Sequence, residues 1–142
     1  MGKIAFNYNN VPPIPGNKRN LKSSLINVLA AESVDLDKIS YIFCTDKYLL
    51  NLNIKHLNHN TFTDILTFRL SDVSKPLVAE IYISIDRVRD NARHLKVDFK
   101  NELFRVMIHG LLHLCGYKDY SKSQKKAMRA KEDCYLMLFR ST

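Results

Sequence analysis

The 142-residue sequence predicts a single α+β domain, a small mixed sheet of about four strands covered by about five helices. Two observations lead there. Short β-branched and aromatic runs of strand length lie in the first half and the middle, and segments with helical spacing of apolar residues fill the rest. A third observation concerns one helical segment, NELFRVMIHGLLHLC, which is apolar in nearly every direction and so belongs inside the fold rather than on its surface. No internal repeat, low-complexity tract or long linker interrupts the chain, and residues 1–142 are read as one domain.

The elements follow in order. Ile4 to Tyr8 reads as a first strand, and the Pro-rich loop VPPIPG after it is closed by Gly16. From Lys18 to Glu32, Leu21, Leu25, Val28 and Leu29 recur at helical spacing. Ile39 to Cys44 is β-branched and aromatic, a second strand. Thr45 or Asp46 can cap a short helix running to about Asn53. TDILTFRL, from Thr63, reads as a third strand; a polar turn from Ser71 to Pro76 leads to a fourth, VAEIYIS, from Val78. Ser84 fits as the N-cap of a helix to about Leu95, and Asp98 as the cap of the apolar helix, which ends at Gly116. Ser121 and Gln124 form a capping box for a last helix to near Phe139.

Composition narrows the class. The hydrophobic fraction is 46% and the charged fraction 25%, ordinary for a soluble globular protein. No apolar run approaches the ~18 residues of a membrane helix, and MGKIAFNYNN lacks the apolar core of a signal peptide. Phe6 also stands where a myristoylation site needs Ser or Thr. A cytoplasmic protein without a membrane partner is expected. Cys44, Cys115 and Cys134 form no CxxC pair and are read as small buried hydrophobes with no disulfide partner.

The net charge of +8 favours an acidic partner such as nucleic acid. From Lys118 to Lys131 the only acidic residue is Asp119. Lys122, Lys125, Lys126 and Arg129 follow i, i+3, i+4, i+7 spacing, one stripe on a helix and a candidate RNA-binding surface. A solvated helix face competes with that reading, but such faces usually mix charge signs.

The chemistry lies in HGLLHLCGYKD, His109 to Asp119. His109 and His113 at i, i+4 leave one face side by side, and burying two imidazoles requires a polar partner for each. A shared metal ion meets that requirement. Gly116 permits the positive φ that turns the chain back, and Asp119 then delivers a carboxylate oxygen. Three protein ligands leave a position open for water, the mark of a catalytic site. Such an ion lowers the pKa of its water from ~15.7 toward ~7 and polarises a phosphoryl or carbonyl oxygen. Zinc suits the set; iron(II) or manganese(II) also accept two histidines and a carboxylate. The spacing coincides with that of metzincin proteases, a zincin-like metal helix, but the Glu that serves them as base beside the first histidine is Gly110 here. That absence points from peptide to phosphodiester hydrolysis.

The same residues resemble the YbeY family of metal-dependent endoribonucleases, whose signature is H-G-x-L-H-L-x-G-Y-D-H. His109, Gly110, Leu112, His113, Leu114, Gly116 and Tyr117 match it in order. Thr63 to Phe68 is similar to the family's TDVLSF strand, and Glu80 to Ser84 to its GDIVIS segment. The resemblance runs from about Leu52 to Met128. It implies a single-strand-specific endoribonuclease of ribosomal RNA maturation, acting at the 3′ end of small-subunit rRNA and in ribosome quality control. One zinc ion would be held by His109, His113 and Asp119, with RNA and the small ribosomal subunit as partners.

The chain departs from the family at several positions. Lys118 replaces an Asp, and Asp119 replaces the third histidine, which adds a negative charge and should leave a bound water less acidic. Leu57 stands where the family usually has an arginine, Arg69 replaces a Pro, and Ala79-Glu80 replaces Gly-Asp. RNA contact would then fall to the C-terminal helix and to basic residues between 87 and 105. Thr63 and Asp64 either line the site or hold a turn; Glu102 and Arg105, on the face of His109, could pair or support a ligand. His56, His59 and His94 read as surface residues, the first two near the cleft mouth. A metalloprotease or other metal hydrolase, and a non-catalytic ribosome-associated RNA-binding protein, are the alternatives.

Overall fold

A computed structural model describes residues 2–140 and 142. The strands are β1 (Lys3–Tyr8), β2 (Leu36–Cys44), β3 (Ile65–Arg69) and β4 (Leu77–Ser84). The helices are α1 (Lys18–Ala31), α2 (Asp46–Leu57), α3 (Ile85–Leu95), α4 (Phe99–Leu114) and α5 (Lys122–Leu136), and a 3₁₀ turn follows at Met137–Phe139. The expected α+β class, with one mixed sheet and helices over it, is what the chain adopts.

The strands lie in the order β1-β2-β4-β3. β1, β2 and β4 run parallel and β3 runs antiparallel to β4, so β3 is an edge strand. Alternation sorts the side chains of the two central strands. Ile39, Tyr41 and Phe43 of β2 and Leu77, Ala79, Ile81 and Ile83 of β4 face the main core, which they share with α1 and α4. On the opposite face Cys44 and Leu66 meet Leu49 of α2 in a smaller cluster.

Helix α4 is buried as its all-round apolarity requires; Leu103, Met107, Ile108, Leu111 and Leu112 are fully enclosed. Tyr41, in the centre of the sheet, donates its hydroxyl to the Met107 carbonyl at 2.8 Å, which satisfies a polar group that burial would otherwise strand. At Gly110 the helix comes so close to the sheet that a Cβ would meet Ile65 Cδ1 at 2.8 Å and Ile81 Cγ2 at 3.1 Å. The residue beside His109 thus faces the sheet and not the cleft.

Several boundaries differ from the sequence expectation for identifiable reasons. β2 begins at Leu36, ahead of Ile39, through an irregularity between Leu36 and Lys38. α2 continues past Asn53 to Leu57, because the buried Asn53 amide donates to the Thr61 carbonyl at 2.9 Å and the helix ends on left-handed Asn58. Thr63 and Asp64 precede β3 rather than starting the strand, with a bend at Asp64. Asp98 occupies the N-cap of α4 but its side chain makes no cap hydrogen bond. The Ser121–Gln124 capping box is formed. Arg69 ends β3 and donates to the carbonyls of Ser71, Asp72 and Lys75, at 3.0, 3.2 and 3.2 Å, and so holds the β3–β4 turn.

The cysteines divide. All three are free, Cys44 is buried, Cys115 is half-buried and Cys134 is exposed, so only Cys44 fits the reading of a buried hydrophobe. Cys134 lies on the outer face of α5, where nothing covers it. Among the described residues no helix is long and apolar enough to cross a membrane.

The close approach at Gly110 can be tested. Overpacking costs ~1–3 kcal/mol and the better helix propensity of Ala returns ~1 kcal/mol, so Gly110→Ala should lower stability by roughly 1 kcal/mol net. A urea denaturation midpoint measures it; a stabilised variant would show that α4 does not press on Ile65 and Ile81.

Candidate metal centre

The last two turns of α4 project His109 and His113 from one face, with ring centroids 4.5 Å apart and planes at 81°. Their Nε2 atoms face each other at 2.9 Å. The helix stops where Gly116 takes φ +105°, in open space where only backbone conformation demands glycine. The Gly116 amide donates to the His113 carbonyl and that of Tyr117 to Leu112, both at 3.0 Å, closing the helix end. The reversed chain brings Asp119 Oδ2 to 3.4 Å from His109 Nε2 and 3.6 Å from His113 Nε2. One ligand atom from each residue lies within 4.8 Å of the others.

These separations fit an ion. Bonds of ~2.0–2.1 Å at tetrahedral angles set ligand atoms roughly 3.3 Å apart, and the distances of 2.9, 3.4 and 3.6 Å bracket that value. His109, His113 and Asp119 keep 23, 28 and 34% of their side-chain surface exposed, so one side of the arrangement stays open.

The nitrogens that point away from the shared centre are also partnered. His113 Nδ1 lies 3.0 Å from the Tyr117 carbonyl, which can only accept, so this nitrogen carries the proton and Nε2 presents its lone pair. Tyr117 is anchored in turn, donating to Glu32 Oε1 at 2.9 Å. Tyr135 donates to the other Glu32 oxygen, and Lys131 approaches it at 3.4 Å. Burial alone would raise the Glu32 pKa, but the Tyr135 and Tyr117 hydroxyls and Lys131 outweigh it and hold the carboxyl below its ordinary 4.5. His109 Nδ1 lies 2.5 Å from Glu132 Oε2. Burial opposes a charge on His109, yet Glu132 and then Asp119 and Asp64 raise its pKa overall.

Two cavities flank the three residues. One, of about 300 Å³, is lined by Arg105, Lys125 and Arg129 together with Asp64, Glu102 and Glu132. The other, of about 660 Å³, is lined by Leu57, Thr63, Ile65, Lys118 and Tyr120. Asp64, His109 and Asp119 belong to both. Asp64 is therefore a lining residue as well as a turn residue: its carbonyl accepts from the Ser84 amide at 2.9 Å and its Oδ2 from Asn91 at 3.3 Å. Burial raises its pKa, with His109 pulling in the opposite direction. Thr63 donates to the Ile65 carbonyl at 3.3 Å.

The basic stripe on α5 splits. Lys125 and Arg129 line the smaller cavity, and Lys122 and Lys126 do not. Within 87–105, Arg87 is committed to Asp46 at 2.6 Å, and Arg105 to Glu132 and Asp133 at 3.0 and 2.5 Å, rather than to Glu102. His56 sits edge-on to Phe68, His59 is exposed, and His94 lies 2.9 Å from the Asp90 carbonyl; none joins the three convergent residues. Glu132 is the residue that the sequence reading missed. Its signal was present, because Met128, Glu132 and Tyr135 form the buried i, i+4, i+7 stripe of an otherwise exposed helix.

A mixed sheet, a buried helix carrying two imidazoles and a carboxylate returned by a glycine turn together define a protein with a zincin-like metal site. Residues 8–140 match the family model described as Endoribonuclease YbeY. The chain is 51% identical over 112 residues to the endoribonuclease YbeY of Flavobacterium psychrophilum, 79% of each sequence. Against that of Porphyromonas gingivalis it is 40% identical over 143 residues, all of this chain and 93% of the other. The solution structure of TM1509 from Thermotoga maritima is similar too, with a TM-score of 0.65 at 29% identity, covering 96% of this chain and 89% of that one. The chain belongs to the endoribonuclease YbeY family.

Glu32 gives a pH test of the loop anchor. A carboxyl with a depressed folded pKa stabilises the fold above its unfolded pKa and loses that contribution as pH falls through the folded value. Glu32→Gln should cost about 1–3 kcal/mol at neutral pH and show a shallower loss of stability below pH 4.5 than the wild type. Asp64 and Glu102, whose pKa values burial raises, act in the opposite direction in both proteins and cancel in the difference. Parallel acid-denaturation curves would mean that the Glu32 contacts do not hold.

Proposed function

We propose that this chain is a zinc-dependent endoribonuclease that cleaves single-stranded stretches of ribosomal RNA in the cytoplasm, maturing the 3′ end of small-subunit rRNA and serving ribosome quality control. Residues 1–142 act as one catalytic domain, with the small ribosomal subunit as the partner that presents the RNA. The observation that carries this reading is the convergence of His109, His113 and Asp119 where two cavities meet, a smaller one whose lining includes Arg105, Lys125 and Arg129 and a larger one whose lining includes Leu57, Lys118 and Tyr120. Membership of the endoribonuclease family supplies the substrate class.

His109, His113 and Asp119 would hold a divalent ion, which would supply Lewis acidity toward a phosphoryl oxygen and acidify water. The chain's own residues do the rest. Lys125 and Arg129 attract the phosphate backbone on one side of the centre. On the other side, Tyr120 and Leu57 offer surface for an unpaired base to stack and pack against, contacts that a base enclosed in a duplex cannot make. Lys118 lines that cavity and faces the same backbone. A protease reading fares worse, since the position beside His109 is a glycine pressed against the sheet and has no room for a carboxylate.

Cleavage of a labelled single-stranded rRNA fragment tests the proposal. Activity should disappear with chelator and return with zinc. Replacing Lys125 and Arg129 by Gln should weaken RNA binding across sequences and flatten the salt slope by about 0.7 per lost contact on single strands, with a smaller change for Lys122 and Lys126. RNA binding without cleavage in the zinc-loaded protein would instead mark a binding module, and undiminished cleavage by the metal-free protein would overturn the mechanism.

A further inference from the structure

We propose that Glu132 is the positioning residue of the metal centre: it fixes the orientation and tautomer of His109, and Arg105 in turn fixes Glu132. The inference rests on the reading of His109 as a metal ligand, and it assigns a role to a residue twenty-three positions away in sequence, on a different helix.

The geometry is specific. Glu132 Oε2 lies 2.5 Å from His109 Nδ1, while Oε1 receives Arg105 Nη1 at 3.0 Å. Arg105 spans a second acid through Nη2, 2.5 Å from Asp133 Oδ1. A carboxylate can only accept from a neutral imidazole, so the proton sits on Nδ1 and the Nε2 lone pair points toward His113 and Asp119. Only 5% of the Glu132 side-chain surface is exposed. A buried carboxylate without partners would be costly, and here both oxygens are occupied, one by the guanidinium and one by the ligand histidine.

The arrangement is not one that helix packing alone would select. Met128 and Tyr135, which flank Glu132 on the buried stripe of α5, are apolar-bodied, and a leucine between them would pack without any such network. Arg105 lies one turn before His109 on α4, so both ends of the chain Arg105–Glu132–His109 are anchored on the same helix and only Glu132 crosses from α5. The carboxylate therefore bridges two side chains of α4, Arg105 through Oε1 and His109 Nδ1 through Oε2, and leaves His109 Nε2 directed toward His113 and Asp119. His113 obtains the equivalent restraint from the Tyr117 carbonyl, which is neutral. A charged partner on His109 makes its imidazole the more basic ligand of the pair and strengthens its bond to a cation.

The experiment is a zinc affinity measured by competition with a chromophoric chelator, on wild type, Glu132→Gln and Arg105→Lys. Glu132→Gln keeps the shape and removes the charge, and should weaken zinc binding 10–100-fold. Because it also leaves Arg105 without one charged partner, it should lower the thermal midpoint of the metal-free protein, and affinity is compared at a temperature where both proteins are folded. Arg105→Lys, which retains one charged contact to Glu132, should fall between. A second measurement needs no variant: nitrogen NMR of the wild-type imidazoles should place the His109 proton on Nδ1. Equal zinc affinity in wild type and Glu132→Gln, a fall in metal-free stability with unchanged affinity, or a proton on Nε2 would each overturn the proposal. If wild type takes up no zinc, the reading of the metal centre fails and this one with it. If Glu132→Gln loses affinity but wild type cleaves no RNA, the positioning role stands and the proposed reaction fails.

Discussion

Two imidazoles on successive turns of a buried helix impose one demand on everything around them: each ring has two nitrogens, and each nitrogen needs a partner in a place where water is scarce. His109 and His113 turn their Nε2 atoms toward each other and toward Asp119. Their Nδ1 atoms then need acceptors, and the fold brings them from opposite directions, a backbone carbonyl from the loop after α4 and a carboxylate from α5. Each acceptor is held from behind, Tyr117 by Glu32 at the end of α1 and Glu132 by Arg105. Helices α1, α4 and α5 are thus joined through the polar contacts of the site as well as through the core.

The second constraint is distance. A metal site on a helix requires that helix to be rigid, and α4 gains its rigidity from close contact with the sheet. Gly110 allows that contact against Ile65 and Ile81, and the Tyr41 hydroxyl ties the sheet to the turn that precedes His109. One small residue therefore sets how near His109 and His113 lie to β3 and hence to Asp64, which borders both cavities. In the smaller cavity Arg105, Lys125 and Arg129 stand among the carboxylates of Asp64, Glu102, Asp119 and Glu132, so basic and acidic side chains share its wall.

Much of this was legible in the sequence because it rests on local rules. The apolar periodicity of α4, the glycine at its end and the i, i+4 histidines are short-range patterns, and they pointed to the three residues that converge, His109, His113 and Asp119. The Ser121–Gln124 box located the start of α5. What was not legible depended on pairing across distance. Asn53 looked like a helix terminus, because its tertiary partner, the Thr61 carbonyl, cannot be seen along the chain. Lys122, Lys125, Lys126 and Arg129 formed one stripe by spacing, yet only the side toward α4 meets the cleft. Glu132 read as the end of a basic run, although its register with Met128 and Tyr135 marked it as buried.

The account depends on one ion held by two imidazole nitrogens and one carboxylate oxygen, and X-ray absorption at the zinc edge of the loaded protein tests that directly. The expected spectrum has a single shell of nitrogen and oxygen at ~2.0–2.1 Å, outer-shell scattering from two imidazoles, and no sulfur. A sulfur at ~2.3 Å, which would bring Cys115 into the site, or the scattering of a third imidazole in place of Asp119, would contradict it.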